Sequence, residues 1–264
     1  MSKQRELAPA WSALRRFTPA RIALGRAGVS LPTNAHLAFQ LAHAQARDAV
    51  HRPFDGNAMV RSLQASAILS PVGSVLLESR ATSRVHYLQR PDLGRRLSEA
   101  SAASLRQAAP SAVPDIAFVI SDGLSALAIE TNAVPFLEEL VPSIMADGLT
   151  IAPFSVVRGG RVALGDEVGE LLRARLVVIL VGERPGLTSP DSMGAYLTFA
   201  PRIGLTDERR NCLSNIRPAG LPWREAAVRL HWLIRESLRR QLSGVDLKED
   251  APTLAGADFA ALPR

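Results

Sequence analysis

The least interrupted apolar run in the chain is Leu176–Gly182, LVVILVG. These seven uncharged, β-branched-rich positions are too few for a typical helix. They predict a strand buried on both faces of a parallel sheet. The chain then breaks into Glu183-Arg184-Pro185-Gly186. Pro185 fixes its own φ and restricts Arg184, while Gly186 can take backbone angles closed to other residues. The strand therefore delivers a carboxylate and a guanidinium to the carboxyl edge of a sheet, where open α/β sheets bind ligands. A plainer alternative stands beside this one: Glu183 and Arg184 solvate a turn.

The same texture runs from Asp115 onward. Ile116–Ile120 predicts a buried strand, with Ser121–Ser125 as the turn into a helix. Asn132–Ala146 is amphipathic, with Phe136, Leu140 and Ile144 at four-residue spacing and Gly148 to stop it. Ile151–Val157 predicts a second strand, Gly165–Ala174 a short helix, and Ala195–Ala200 a further strand ended by Pro201. A loop holding Cys212 leads to a long helix over Trp223–Ser243, with Ala227, Leu230, Ile234 and Leu238 on one stripe and Gly244 beyond it. This βαβαβ alternation predicts a parallel sheet with helices on both faces.

The first half reads differently. Asn34–His51 predicts a helix whose Leu37, Leu41 and Ala44 form an apolar stripe ending at Asp48. Val85–Leu88 is a short strand candidate. Asp92 is a candidate N-cap for a helix to Gln107, which puts Arg95 and Arg96 near its start. Arginines there oppose the helix dipole, so the expectation is that they answer an external anion. Ala108–Pro114 is the expected boundary. The fold class is therefore α/β: a mostly helical, partner-contacting N-terminal region (1–110), a Rossmann-like parallel-sheet domain (111–247), and a loose tail (248–264).

At 264 residues and 47% hydrophobic the chain can bury a sizeable core. A lone Cys212 excludes an internal disulfide framework and fits a reducing compartment. With no apolar leader and no run near the roughly 18 residues of a membrane span, the cytoplasm is the expected location. The +6 net charge raises nucleic acid as a partner. However, lysine occurs only at Lys3 and Lys248, and the arginines are dispersed among acidic residues. No nucleic-acid partner is expected.

Candidate chemistry is sparse. No GxGxxG or GxxxxGK[ST] follows any predicted strand, so the usual phosphate cradles are missing. Gly25 and Gly28 could cradle a phosphate or simply end a helix in a turn. His36 and His43 lack the acidic neighbours of a helical metal site and read as surface or interface residues. Cys212 reads as a nucleophile or as a buried inert thiol, with His231 the only histidine after it. Polar strand-end loops occur at Asp122, Arg158–Val162 and Glu183. These are the features of a binder; a free-standing α/β nucleotide-binding protein is one such reading.

A second reading comes from motifs in a fixed order. ARIALGRAG, RPDLGRRL, ISDGLS (Ile120–Ser125), GRV (Gly160–Val162), LVGERPGL (Leu180–Leu187), FAPRIGL (Phe199–Leu205) and CLSNI (Cys212–Ile216) resemble the small subunit of ethanolamine ammonia-lyase from about Leu14 to Val245. The resemblance implies an adenosylcobalamin-dependent lyase that converts ethanolamine to acetaldehyde and ammonia. It implies a large partner subunit, a β/α barrel that binds ethanolamine and hosts the radical chemistry, with cobalamin lying between the two chains. It also implies cobalamin contacts at Val162, Glu183 and Cys212, no catalytic residue in this chain, and a cytoplasmic location that can include a bacterial microcompartment.

Overall fold

The structure, a computed structural model, describes residues 12–248. The tail expected to be loose lies outside the described residues from 249 onward. Strand β4 (Leu176–Gly182) has the predicted bounds and every residue buried. Its side chains alternate. Leu176, Val178 and Leu180 enter one apolar cluster, and Val177, Ile179 and Val181 enter the other. A strand packed on both faces has no use for a polar position, which explains the unbroken apolar run.

Around β4 lie β1 (Ser74–Glu78), β2 (Ile116–Ser121), β3 (Phe154–Arg158), β5 (Met193–Phe199) and β6 (Arg210–Ile216). They form one six-stranded sheet in the order β1-β3-β2-β4-β5-β6. The first four strands are parallel, but β5 runs antiparallel to β4 and β6 antiparallel to β5. The all-parallel sheet expected from sequence is thus corrected to a mixed one. The physical cause is the connections: residues 183–192 and 200–209 carry no α-helix, and a parallel return needs a long crossover. The same finding moves Cys212 from a loop into β6.

Helices α2 (Gly56–Ala65), α5 (Ala126–Ala146) and α7 (Trp223–Arg240) cover one face, and α4 (Glu99–Ala108) and α6 (Leu164–Leu171) the other. Ser125 caps α5 by accepting from Ala128 N at 3.2 Å, so the helix starts a turn and a half before the predicted Asn132. Helix α7 ends at Gln241 in the left-handed region, before Gly244. On the α4/α6 face the cover stops short. Leu213 and Ile216 of β6 point into the α5/α7 cluster, but Cys212 and Ser214 on the opposite side are exposed.

Several N-terminal expectations change. Val85–Leu88 lies in helix α3 (Arg84–Gln89), capped by Ser83, which accepts from His86 N at 3.2 Å. Ser98 rather than Asp92 caps α4, accepting from Ser101 N at 3.2 Å. Arg96 sits before that cap in extended backbone and is paired internally with Glu167 at 3.0 Å. The connection expected as a boundary joins α4 to β2, and β1 from before it is hydrogen-bonded to β3 from after it. Helix α1 (Thr33–His51) is close to its predicted span, but it buries Ala42, Ala46 and Ala49. Small residues at that spacing let the helix approach its neighbours closely. Leu37 and Leu41 of the predicted core stripe are instead 57% and 61% exposed.

Candidate functional site

Two polar regions form at the carboxyl edge of the parallel strands. The first is a cavity of about 800 Å³ beyond β1, β3 and β2, lined by Arg52, Glu78, Arg84, Tyr87, Asp122 and Arg158 among others. Its most buried acid is committed internally. Buried Asp122 accepts from Gly159 N at 2.7 Å and from Arg84 Nη1 at 3.3 Å. Burial nevertheless raises its carboxyl pKa. Arg84 also donates to the carbonyls of Val50, Gly123 and Leu124 at 2.7, 2.6 and 3.0 Å. It therefore ties the end of α1 to the β2–α5 turn. That turn is pressed against β4: a Cβ on Gly123, at φ +53°, would lie 2.4 Å from Gly182 O. The crevice between β2 and β4 is closed by Leu124 N donating to Gly182 O at 2.8 Å.

The second region lies beside β5 and β6, where Glu183 and Cys212 come near each other. Glu183 follows β4 directly. Its carboxylate accepts from Ser192 Oγ and Ser214 Oγ, both at 2.5 Å, and from Asn215 N at 3.1 Å. It is a half-buried acceptor holding the 192 turn and the end of β6, whereas its neighbour Arg184 is exposed. The reading of both as turn solvation thus fits Arg184 and not Glu183. Opposite it, Gly194 is needed for space: a Cβ there would come within 3.0 Å of Glu183 Oε1 and 3.1 Å of the Tyr196 ring.

Cys212 is paired in register with Tyr196 and is exposed, which corrects the buried-thiol alternative. Partial desolvation raises its thiol pKa, and the nearby Glu183 carboxylate raises it further. A thiol pushed this way is a contact surface more than a nucleophile. Val162 lies in the turn into α6, half-buried against the cluster that holds Ile179 and Val181. Val162, Glu183 and Cys212 therefore share one face of the sheet. Tyr196, Ser192, Ser214 and Asn215 complete that face and were not singled out from sequence. The signal for them was period-two alternation, which puts Cys212 and Ser214 on one side of CLSNI.

Gly25 and Gly28 lie at φ +82° and +65° around a turn closed by an Ala27–Ser30 bridge, with no strand before it among the described residues. His36 and His43 are exposed. Among the described residues no cluster of His, Cys, Asp and Glu could hold a metal ion, and no helix is long and apolar enough to cross a membrane.

Comparison with known proteins supplies the family. Residues 8–248 match the model for the ethanolamine ammonia-lyase light chain, EutC. The chain belongs to the ethanolamine ammonia-lyase light-chain family. It is 57% identical over 243 residues to the ethanolamine ammonia-lyase small subunit of Azotobacter vinelandii, covering 91% of this chain and 88% of that one. It is 55% identical over 262 residues to that of Xanthomonas campestris pv. campestris (97% and 94% covered), and 56% identical over 259 residues to that of Ralstonia nicotianae (95% and 94%). The match begins before Leu14 and runs beyond Val245, so it is longer than the motifs alone indicated. It makes this a subunit of a carbon–nitrogen lyase, and a small subunit implies a larger partner.

Proposed function

We propose that this chain is the small subunit of an adenosylcobalamin-dependent ethanolamine ammonia-lyase and helps to hold cobalamin where it meets the large subunit. The observation that carries this reading is the half-buried Glu183 carboxylate, bonded to exposed Ser214 beside exposed Cys212, on the side of the sheet where Val162 packs against the α4/α6 cluster. The residues fit such a group. Glu183 accepts three hydrogen bonds from the protein, and an ionised carboxylate has about four acceptor sites, leaving capacity for an amide or hydroxyl of the cofactor. Val162, Cys212 and the Tyr196 ring offer apolar contact beside it, and glycine at 194 keeps the space between Glu183 and Tyr196 open. The bound cofactor supplies the radical chemistry; this chain supplies placement and exclusion of water. Four parallel strands with helices on both faces favour describing that half of the sheet as Rossmann-like.

The large subunit binds ethanolamine in this reading, and the N-terminal region faces that subunit. Phe17, Leu37, Phe39 and Leu41 are exposed at 72%, 57%, 41% and 61%, and such apolar surface marks an interaction site. The location is cytoplasmic, with a microcompartment as the finer version, and no nucleic acid or membrane is involved. The test is reconstitution. Ethanolamine turnover with added adenosylcobalamin is expected from the two subunits together and from neither alone. Turnover by this chain alone, or no cobalamin retained by the pair, would overturn the proposal.

A further inference from the structure

Arg210 and Asp166 form an ion pair whose side chains are 3% and 2% exposed. Arg210 opens β6, two positions before Cys212; Asp166 lies in the first turn of α6, four positions after Val162. Arg210 also donates to Asp207 Oδ1 at 3.0 Å and to Leu205 O at 3.1 Å. Even so, Asp166 Oδ1 and Arg210 Nε have no hydrogen-bond partner. A buried pair left partly unsatisfied is a poor source of stability, because desolvation costs several kcal/mol per ion and well-packed apolar residues often do as well. Its contribution has to be sought in geometry.

The geometry is specific. The pair reaches from the start of α6, past Thr198 of β5, to the start of the edge strand β6. In the next residue, Glu167 grips the other side of α6. It accepts from Arg96 Nε at 3.0 Å and from Leu97 N at 2.8 Å. The turn carrying Val162 is held as well, by Arg161 N donating to Gly94 O at 2.7 Å. Val162 and Cys212 thus belong to two elements whose separation is fixed by a directional, bidentate-capable contact. Apolar packing alone would let an edge strand shift against the helix.

We propose that Asp166 and Arg210 are positioning residues that set the gap between Val162 and Cys212, and with it the fit of cobalamin to this face. This rests on the cofactor-holding role proposed above. The test uses the assembled two-subunit complex, titrated with cyanocobalamin, and reads the dissociation constant and the circular dichroism of the bound chromophore. The double variant Asp166→Leu/Arg210→Met is expected to fold and assemble with an unchanged or higher Tm. It should bind cobalamin about tenfold more weakly, roughly the loss of one well-placed hydrogen bond, with an altered dichroism band. Arg210→Lys keeps the charge but not the fork, and is expected to fall between wild type and the double variant. It carries the test if the double variant does not fold. Wild-type affinity and an unaltered band in the folded variant would overturn the positioning role. The underlying reading fails separately, if Glu183→Ala leaves cobalamin binding unchanged.

Discussion

Replacing Glu183 with alanine removes an acceptor that three groups share: Ser192 Oγ, Ser214 Oγ and Asn215 N. Hydrogen bonds to a charged group contribute about 1.5–3 kcal/mol each. Simple addition overstates the loss, because Glu183 is only half-buried and water can reach the exposed Ser214 and Asn215. The most enclosed bond, to buried Ser192, sets the scale, and a loss of about 2–3 kcal/mol is expected. For a chain of this size that is a fall in Tm of roughly 4–10 °C. The damage should be local, at the 192 turn and the end of β6, since β4 itself stays packed on both faces. Cobalamin affinity should fall by about 1.5–3 kcal/mol, or roughly 10- to 150-fold. The assays are thermal melting and cobalamin titration of the complex, with Glu183→Gln alongside. Glutamine keeps the volume but turns one acceptor into a donor facing groups that also donate, so it should restore little. A Tm within 1 °C of wild type would refute the reasoning about the three bonds. An unchanged dissociation constant would refute the cofactor contact.

Leu180→Ala, at a fully buried position of β4, should cost about 2–5 kcal/mol in urea unfolding; a loss below 1 kcal/mol would contradict two-face packing of that strand. Leu37→Asp with Leu41→Asp, on the exposed side of α1, should leave the chain's stability within about 0.5 kcal/mol while weakening co-purification with the large subunit. Undiminished pairing would remove this face from the interface. Burial pushes the Asp166 carboxyl up from 3.8 to about 6, with Arg210 opposing and Asp207 reinforcing the rise. The folded chain then binds this proton more tightly than the unfolded one, so the group's contribution to stability falls as pH rises from about 4 to about 6 and is flat above that. Asp166→Asn holds the neutral form, and the stability difference between wild type and this variant should therefore change between pH 4 and 6 only. A difference independent of pH in that window would contradict the raised value.

The sequence by itself determined the elements whose signal is local. LVVILVG specified β4 to the residue, because burial on both faces forbids polar positions. Helices α1, α5 and α7 were legible from apolar spacing, and the strand-end placement of Glu183 from the Pro-Gly break that follows it. The family motifs added Val162 and Cys212 as expected contacts. Only the tertiary structure decided the matters that depend on partners far along the chain. Helix α1 turned its alanines inward and left its leucines outside. Arg96 met Glu167 across 71 positions of sequence, so that arginine needs no external anion. Helix-free connections turned β5 and β6 antiparallel and left Cys212 and Ser214 of β6 exposed, and Glu183 reached Ser214 and Asn215 only because that sheet had closed beside it. Periodicity records which positions of one segment are apolar. Which surface each segment meets is set by long-range packing, which no local pattern encodes.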